Sequence, residues 1–159
     1  MSTTTERRAE SKDIIFALNT CIETNIDGEK GLSAAAADAR APELKDYLLL
    51  RAEERAGFVR ELQSAIQQLD AFAENQGTAR GIVHRGFTDI RLALEGHKDN
   101  VVVQEWIRGE KAALTGYERA LRHAPLDTLP IQLRAMIQRQ HAAIQTALGD
   151  AYAALARVS

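Results

Sequence analysis

The stretch LKDYLLLRAEERAGFVRELQSAIQQL, residues 44–69, decides the fold. Its apolar residues recur every three or four positions, which is the spacing of one face of an α-helix. That face contains Leu44, Leu48, Phe58, Val59, Leu62, Ile66 and Leu69, and it is interrupted by Arg51 and Arg55. Proline at position 42 and glycine at position 77 favour helix boundaries on either side. The pattern therefore predicts a helix from about Pro42 to about Asn75 with two arginines on its buried face.

The same periodicity continues outward from this stretch in both directions. Residues 1–10 are predicted to form a flexible N-terminal tail, and residues 11–159 to form one bundle domain. The predicted helices besides the second are a first from about Ser11 to about Arg40, a short one over about 78–95, a third from after Asp99 to about Arg122, and a last from Asp127–Thr128 to about Arg157.

Loop lengths predict how these helices are connected. Short turns marked by proline join the first helix to the second and the third to the fourth, so each pair forms an antiparallel hairpin. The roughly 20 residues between the second and third helices are mostly helical, and at ~1.5 Å per residue they cover ~25–30 Å. Such a connection returns the chain to the far end of the bundle, so the second and third helices run parallel. The predicted fold class is all-α, a ferritin-like four-helix bundle with a helical crossover at about 78–95.

Composition excludes some classes of function. The net charge is −2, from 20 basic and 22 acidic residues with no basic block, so nucleic-acid binding is not expected. No apolar run approaches the ~18–20 residues that a membrane span needs. The first residues, MSTTTERRAESKD, lack the apolar core of a secretory signal, and the single cysteine, Cys21, cannot form an internal disulfide. We therefore expect a cytoplasmic protein without membrane or nucleic-acid partners.

Polar side chains interrupt the apolar faces near the middle of the predicted bundle. Steps of ~100° per residue place them on or near the buried face of each helix. The predicted buried polar layer consists of Asn25, Glu29, Arg51, Arg55, Glu110, Tyr117 and Gln140. Counting from the turns brings Glu29 level with Arg55, and Glu110 level with Gln140. Because a buried charge is costly unless it is paired, the leading interpretation is a Glu–Arg–Gln network that needs no cofactor and has no catalytic residue.

The alternative interpretation is a metal site. Ferritin-like di-metal proteins hold their metals at this level with one Glu from each of two helices and an ExxH motif from each of the other two. Glu29 and Glu110 match the two lone Glu positions. The ExxH positions fail, because Gly57 follows Glu54 and Gln138 precedes His141 at that spacing. This alternative is a di-iron or manganese carboxylate protein, ferroxidase or oxidase-like, with Glu29, Glu110 and His141 as ligands.

Glycines inside the predicted helices give a third interpretation. Six of them interrupt the four long helices, although glycine costs ~1 kcal/mol relative to alanine in a helix. They are Gly28, Gly31, Gly57, Gly109, Gly116 and Gly149. They indicate either close packing of helices or room for a small ligand beside Arg55.

A set of short motifs resembles an uncharacterised bacterial family of ferritin-like four-helix-bundle proteins. The resemblance extends from about Leu18 to about Leu155. It is carried by Asp27-Gly28-Glu29-Lys30-Gly31 with Ala34–Ala37, Arg51-Ala52-Glu53-Glu54-Arg55 with Phe58, Glu61-Leu62-Gln63, His84-Arg85-Gly86-Phe87, Arg108-Gly109-Glu110 with Tyr117, and Arg139-Gln140. It implies a fold and a superfamily in which di-metal chemistry occurs, but no particular reaction. We expect a non-enzymatic interaction or stress-associated protein that forms a homodimer.

Overall fold

The computed structural model describes residues 3–74 and 99–158, and these residues are almost entirely helical. The α-helices in these ranges are α1 (Thr4–Asp38), α2 (Pro42–Glu74), α3 (Asp99–His123) and α4 (Ile131–Val158), with a 3₁₀ turn at Leu126–Thr128 between α3 and α4. The prediction of an all-α helical bundle is confirmed. The crossover helix predicted at about 78–95 lies outside the described residues.

The start of α1 corrects the sequence-based boundary. The helix begins at Thr4 rather than at about Ser11, so residues 4–10 are helical instead of forming a tail. The hydroxyl of Thr3 accepts the backbone N–H of Glu6 at 3.3 Å, and the Glu6 carboxylate accepts the backbone N–H of Thr3 at 2.6 Å. This capping box satisfies two N–H groups that otherwise have no partner at a helix start.

The start of α4 is a second correction. The last helix begins at Ile131 and not at Asp127–Thr128. The preceding residues form a 3₁₀ turn, in which the Thr128 N–H donates to the Pro125 carbonyl at 2.9 Å. Pro130, which has no N–H to donate, then stands directly before the helix.

Asp99 reveals the relative directions of α1, α2 and α3. Its carboxylate accepts the backbone N–H groups of Arg40 at 2.7 Å and Ala41 at 3.1 Å, in the turn that joins α1 to α2. The start of α3 therefore lies at the end of the bundle where α1 ends and α2 begins. It follows that α2 and α3 run parallel to each other, as the sequence predicted, and that both are antiparallel to α1.

The helices pack in the order α2, α1, α3, α4, and α4 also touches α2. Two apolar clusters fill the interior at different levels. The first includes Leu18, Cys21, Leu62, Ile66 and Ile144, and the second includes Leu32, Leu48, Val103, Trp106 and Ala151. On α1, α2 and α3 the switch from one cluster to the other occurs at Asn25, Arg55 and Glu110, respectively. A polar level thus separates two apolar halves of the core.

Candidate functional site

Arg55 and Glu110 form an ion pair at the centre of the bundle. The guanidinium of Arg55, on α2, donates through Nη2 to Oε2 of Glu110, on α3. The two residues are 3% and 1% exposed. The other oxygen of the carboxylate, Oε1, accepts the indole N–H of Trp106 at 3.2 Å. Both carboxylate oxygens of Glu110 therefore have a hydrogen-bond donor.

Asn25, on α1, connects this ion pair to a buried tyrosine. Its side-chain oxygen accepts Nη1 of Arg55 at 3.0 Å. Its amide nitrogen donates to the hydroxyl of Tyr117 at 2.7 Å and to the carbonyl of Cys21 at 2.8 Å. The Tyr117 hydroxyl in turn donates to Oε1 of Gln140, on α4, at 2.7 Å. Tyr117 is therefore the residue of α3 that lies level with Gln140. The sequence predicts Glu110 at that level instead.

Glu61 is the surface end of this series of hydrogen bonds. Sequence reasoning names it in a family motif but does not place it in the polar layer. Its Oε2 accepts Nε2 of Gln140 at 2.8 Å and the guanidinium of Arg139 at 2.7 Å. Glu61 lies at the rim of α2 and is partly exposed, so no apolar periodicity marks it. One continuous set of hydrogen bonds thus links all four helices: Trp106, Glu110, Arg55, Asn25, Tyr117, Gln140, Glu61 and Arg139.

Burial changes the acidity of two groups in this network. It raises the pKa of Glu110 above the ordinary value of 4.5, although the charge of Arg55 and the Trp106 hydrogen bond act in the opposite direction. It also raises the pKa of the Tyr117 phenol, which therefore stays a neutral donor to Gln140.

Three residues predicted for the site lie outside this network. Glu29 is only partly buried, because the buried face of α1 is centred on Asn25 and Leu32, and it makes no ion pair with a described residue. Arg51 is 20% exposed; its guanidinium pairs with Glu54 at 2.8 Å and lies over the Tyr47 ring. The ring of His141 lies 6.2 Å from that of Tyr117 and is partly exposed.

The side chains predicted as metal ligands do not form a cluster in this structure. Within residues 3–74 and 99–158, no group of three or more His, Cys, Asp or Glu side chains is close enough to hold a metal ion. The structure does not bring Glu29, Glu110 and His141 together as one such group. The carboxylate of Glu110 faces the guanidinium of Arg55.

A groove of about 510 Å³ opens beside the ion pair, between α1 and α3. Arg55, Trp106 and Glu110 line its inner wall. Four of the six glycines in the described helices line it as well, namely Gly28, Gly31, Gly109 and Gly116. A Cβ atom on Gly31 or Gly109 would meet no atom within 4 Å, whereas one on Gly28 would lie 3.7 Å from Cγ of Arg55. The groove therefore combines open space with access towards the polar core.

Gly116 has a different role from its neighbours in the groove. A Cβ atom there would clash with Oγ1 of Thr24 and would lie 2.8 Å from its Cγ2. The hydroxyl of Thr24 is fixed by a 2.7 Å hydrogen bond to the carbonyl of Thr20. At Gly116, α3 therefore lies too close to the Thr24 side chain of α1 to leave room for a Cβ atom.

Comparison with known proteins gives a family match. The model of DUF2383, a domain of unknown function, matches residues 13–123. This range contains Asn25, Arg55, Glu110 and Tyr117, and it ends at the last residue of α3. A search of curated proteins gave no match. Among the described residues, none of the helices has a stretch apolar and long enough for a membrane span.

Proposed function

The chain belongs to the DUF2383 family, and we propose that within this family it is a non-enzymatic, ferritin-like bundle protein that acts through binding to other proteins. In this proposal the guanidinium of Arg55 takes the position that a metal cation has in di-metal members of the ferritin-like superfamily. The observation that carries the proposal is the carboxylate of Glu110, whose two oxygens are bound by Arg55 and Trp106.

The charges of the site support this assignment. A metal-binding carboxylate needs a cation to face. At Glu110 the positive charge is covalently part of the chain, and Asn25 holds the same guanidinium from the other side. If a metal displaced Arg55 from Glu110, the buried guanidinium of Arg55 would lose its partner, which is costly. The network therefore favours a closed core over an exchangeable ion.

The location proposed for the protein is the bacterial cytoplasm. Its single cysteine, Cys21, is buried and has no second cysteine to pair with, as in proteins of reducing compartments. The family resemblance supports the bacterial source.

The competing function is a di-iron or manganese carboxylate protein with Glu29, Glu110 and His141 as ligands. The deciding experiment measures iron and manganese by mass spectrometry in protein purified without chelator, before and after incubation with each metal under anaerobic conditions. We expect no stoichiometric metal and no acceleration of Fe(II) oxidation by air. The matched control for a non-specific carboxylate is Glu53→Ala, because Glu53 is exposed.

About two metals per chain, as the di-metal sites of this superfamily hold, would contradict the proposal if they were lost in Glu29→Ala and retained in Glu53→Ala. Loss in Glu29→Ala is informative on its own, because Glu29 is outside the buried network and its removal leaves the Arg55–Glu110 pair intact.

A further inference from the structure

One face of α3 has a charge pattern that is complementary to itself. Glu105, Ala112 and Arg119 are seven residues apart and therefore lie in one line along the helix, two turns from each other. All three line the groove between α1 and α3. The acidic residue is at one end of the line, the basic residue is at the other, and the smallest side chain is in the middle.

We propose that the groove is the docking site for a second copy of this chain, with the two α3 helices antiparallel across a two-fold axis at Ala112. In a two-fold interface, every contact between a residue of one copy and a residue of the other occurs a second time with the two copies exchanged. An axis at Ala112 places Glu105 of each copy opposite Arg119 of the other, so the interface contains two such ion pairs. The proposal is independent of how Glu110 is paired in the core.

The shape of the groove permits this approach. The separation of two packed helices depends on the side chains between them, and small residues allow the closest contacts. A Cβ atom added to Gly109 or Gly31 would have no neighbouring atom within 4 Å, and Ala112 is exposed. A helix whose exposed face has small residues near its middle fits into this space, and α3 presents Gly109 and Ala112 there.

The charges at the rim favour a second copy over a strongly charged partner. Asp27 and Glu105 are balanced by Arg108 and Arg119 around the groove. Arg119 makes no ion pair with any described residue, and Glu105 pairs with Arg108 at 2.6 Å on a partly exposed surface, where such a pair contributes little. An apolar centre with Trp106 beneath it and charges at the rim is also the usual composition of a protein interface.

The first test is the oligomeric state of the full chain by sedimentation equilibrium over a concentration series. We expect a dimer that weakens as salt is added. Glu105→Arg and Arg119→Glu each place like charges across the axis twice, so each should raise the dissociation constant at least about tenfold. Combining both substitutions restores opposite charges and should recover dimerisation. Glu118→Arg makes the same charge change on an exposed part of α3 outside the groove and should have no effect.

The second test measures the register. Ala112→Cys places two thiols at the axis, and an added oxidant should link the two chains through this residue, whereas Glu118→Cys should not link them. Cys21 does not interfere, because it is buried. The proposal is overturned if the chain is monomeric at all concentrations, as a groove for a small molecule would leave it. It is also overturned if a dimer persists equally in all charge variants, or if Ala112→Cys links no better than Glu118→Cys.

Discussion

Arg55 and Glu110 face each other across the diagonal of the bundle, from α2 to α3, which do not pack against each other as neighbours. Their ion pair therefore crosses the centre of the molecule, and Asn25 of α1 supports it from the side. Buried polar contacts of this kind are sensitive to the loss of one partner, because the remaining group stays without water or a hydrogen bond. The core is thus held by specific pairing as well as by apolar packing.

Tyr117→Phe should destabilise the protein through two hydrogen bonds at once. The hydroxyl accepts from Asn25 and donates to Gln140, and it is fully buried. Its removal leaves an amide oxygen of Gln140 without that donor, so we expect a loss of ~1–3 kcal/mol in the free energy of unfolding. Tyr152→Phe is the control, since Tyr152 is 45% exposed and should change stability by less than ~0.5 kcal/mol. Urea titration measures both, and equal effects would contradict the assignment.

Gly116→Ala should destabilise the contact between α1 and α3. The added methyl group meets the side chain of Thr24, and overpacking of this kind costs ~1–3 kcal/mol. Gly149→Ala is the matched control, because nothing lies within 4 Å of its added methyl group and alanine favours a helix by ~1 kcal/mol. We expect opposite signs in thermal unfolding, and partial recovery of Gly116→Ala by Thr24→Ala. A stabilising Gly116→Ala would show that the two helices are farther apart.

The raised pKa of Glu110 predicts an unusual dependence of stability on pH. Between 4.5, the ordinary pKa of this carboxyl, and its raised value in the folded chain, the folded state holds more protons than the unfolded state. The part of the stability that comes from this pKa shift is therefore complete below the ordinary pKa and is lost as the pH rises through the folded value, whereas the pairing with Arg55 remains. The unfolding free energy of the wild type minus that of Glu110→Gln should fall with increasing pH over this window. If the difference grows instead, Arg55 holds the pKa below its ordinary value.

Cys21 should be almost inert in the folded protein. It is 1% exposed, and burial raises the pKa of its thiol to about 12 from an ordinary 9.0. At pH 8 this lowers the thiolate fraction about a thousandfold, and reagent access is blocked as well. Labelling with a disulfide reagent should therefore occur only as fast as the protein unfolds, and denaturant should accelerate it. Rapid stoichiometric labelling of the native protein would contradict the buried placement.

Helices and the centre of the polar level could be predicted from sequence because both depend on periodicity within one helix. Asn25, Arg55, Glu110 and Gln140 interrupt strong apolar faces, and all are buried. The start of α1 could also have been predicted from the sequence, since Thr3 and Glu6 have the spacing of a capping box. Similarly, Trp106 is four residues before Glu110 on the same face, a spacing at which side chains meet.

The hydrogen-bond partners between helices could not be predicted, because they change when one helix shifts by a few residues relative to another. The 3₁₀ turn at Leu126–Thr128 moves the start of α4 to a later residue than the sequence predicts. As a result, Gln140 lies level with Tyr117 and not with Glu110. Glu61 joins the network only through the packing of α4 against α2. Glu29 was placed near the edge of its face, where a small rotation of the helix decides between core and surface.

The most direct test of the central claim is a double-mutant cycle on Arg55→Met and Glu110→Gln, measured by urea unfolding at neutral pH. Each single substitution leaves a buried partner unpaired and should cost ~3–5 kcal/mol. The double variant should lose less than the sum of the two, with a coupling of ~1–3 kcal/mol. Losses that add without coupling, or single losses under ~1 kcal/mol as for an exposed pair, would contradict a buried Arg55–Glu110 pair at the centre of the bundle.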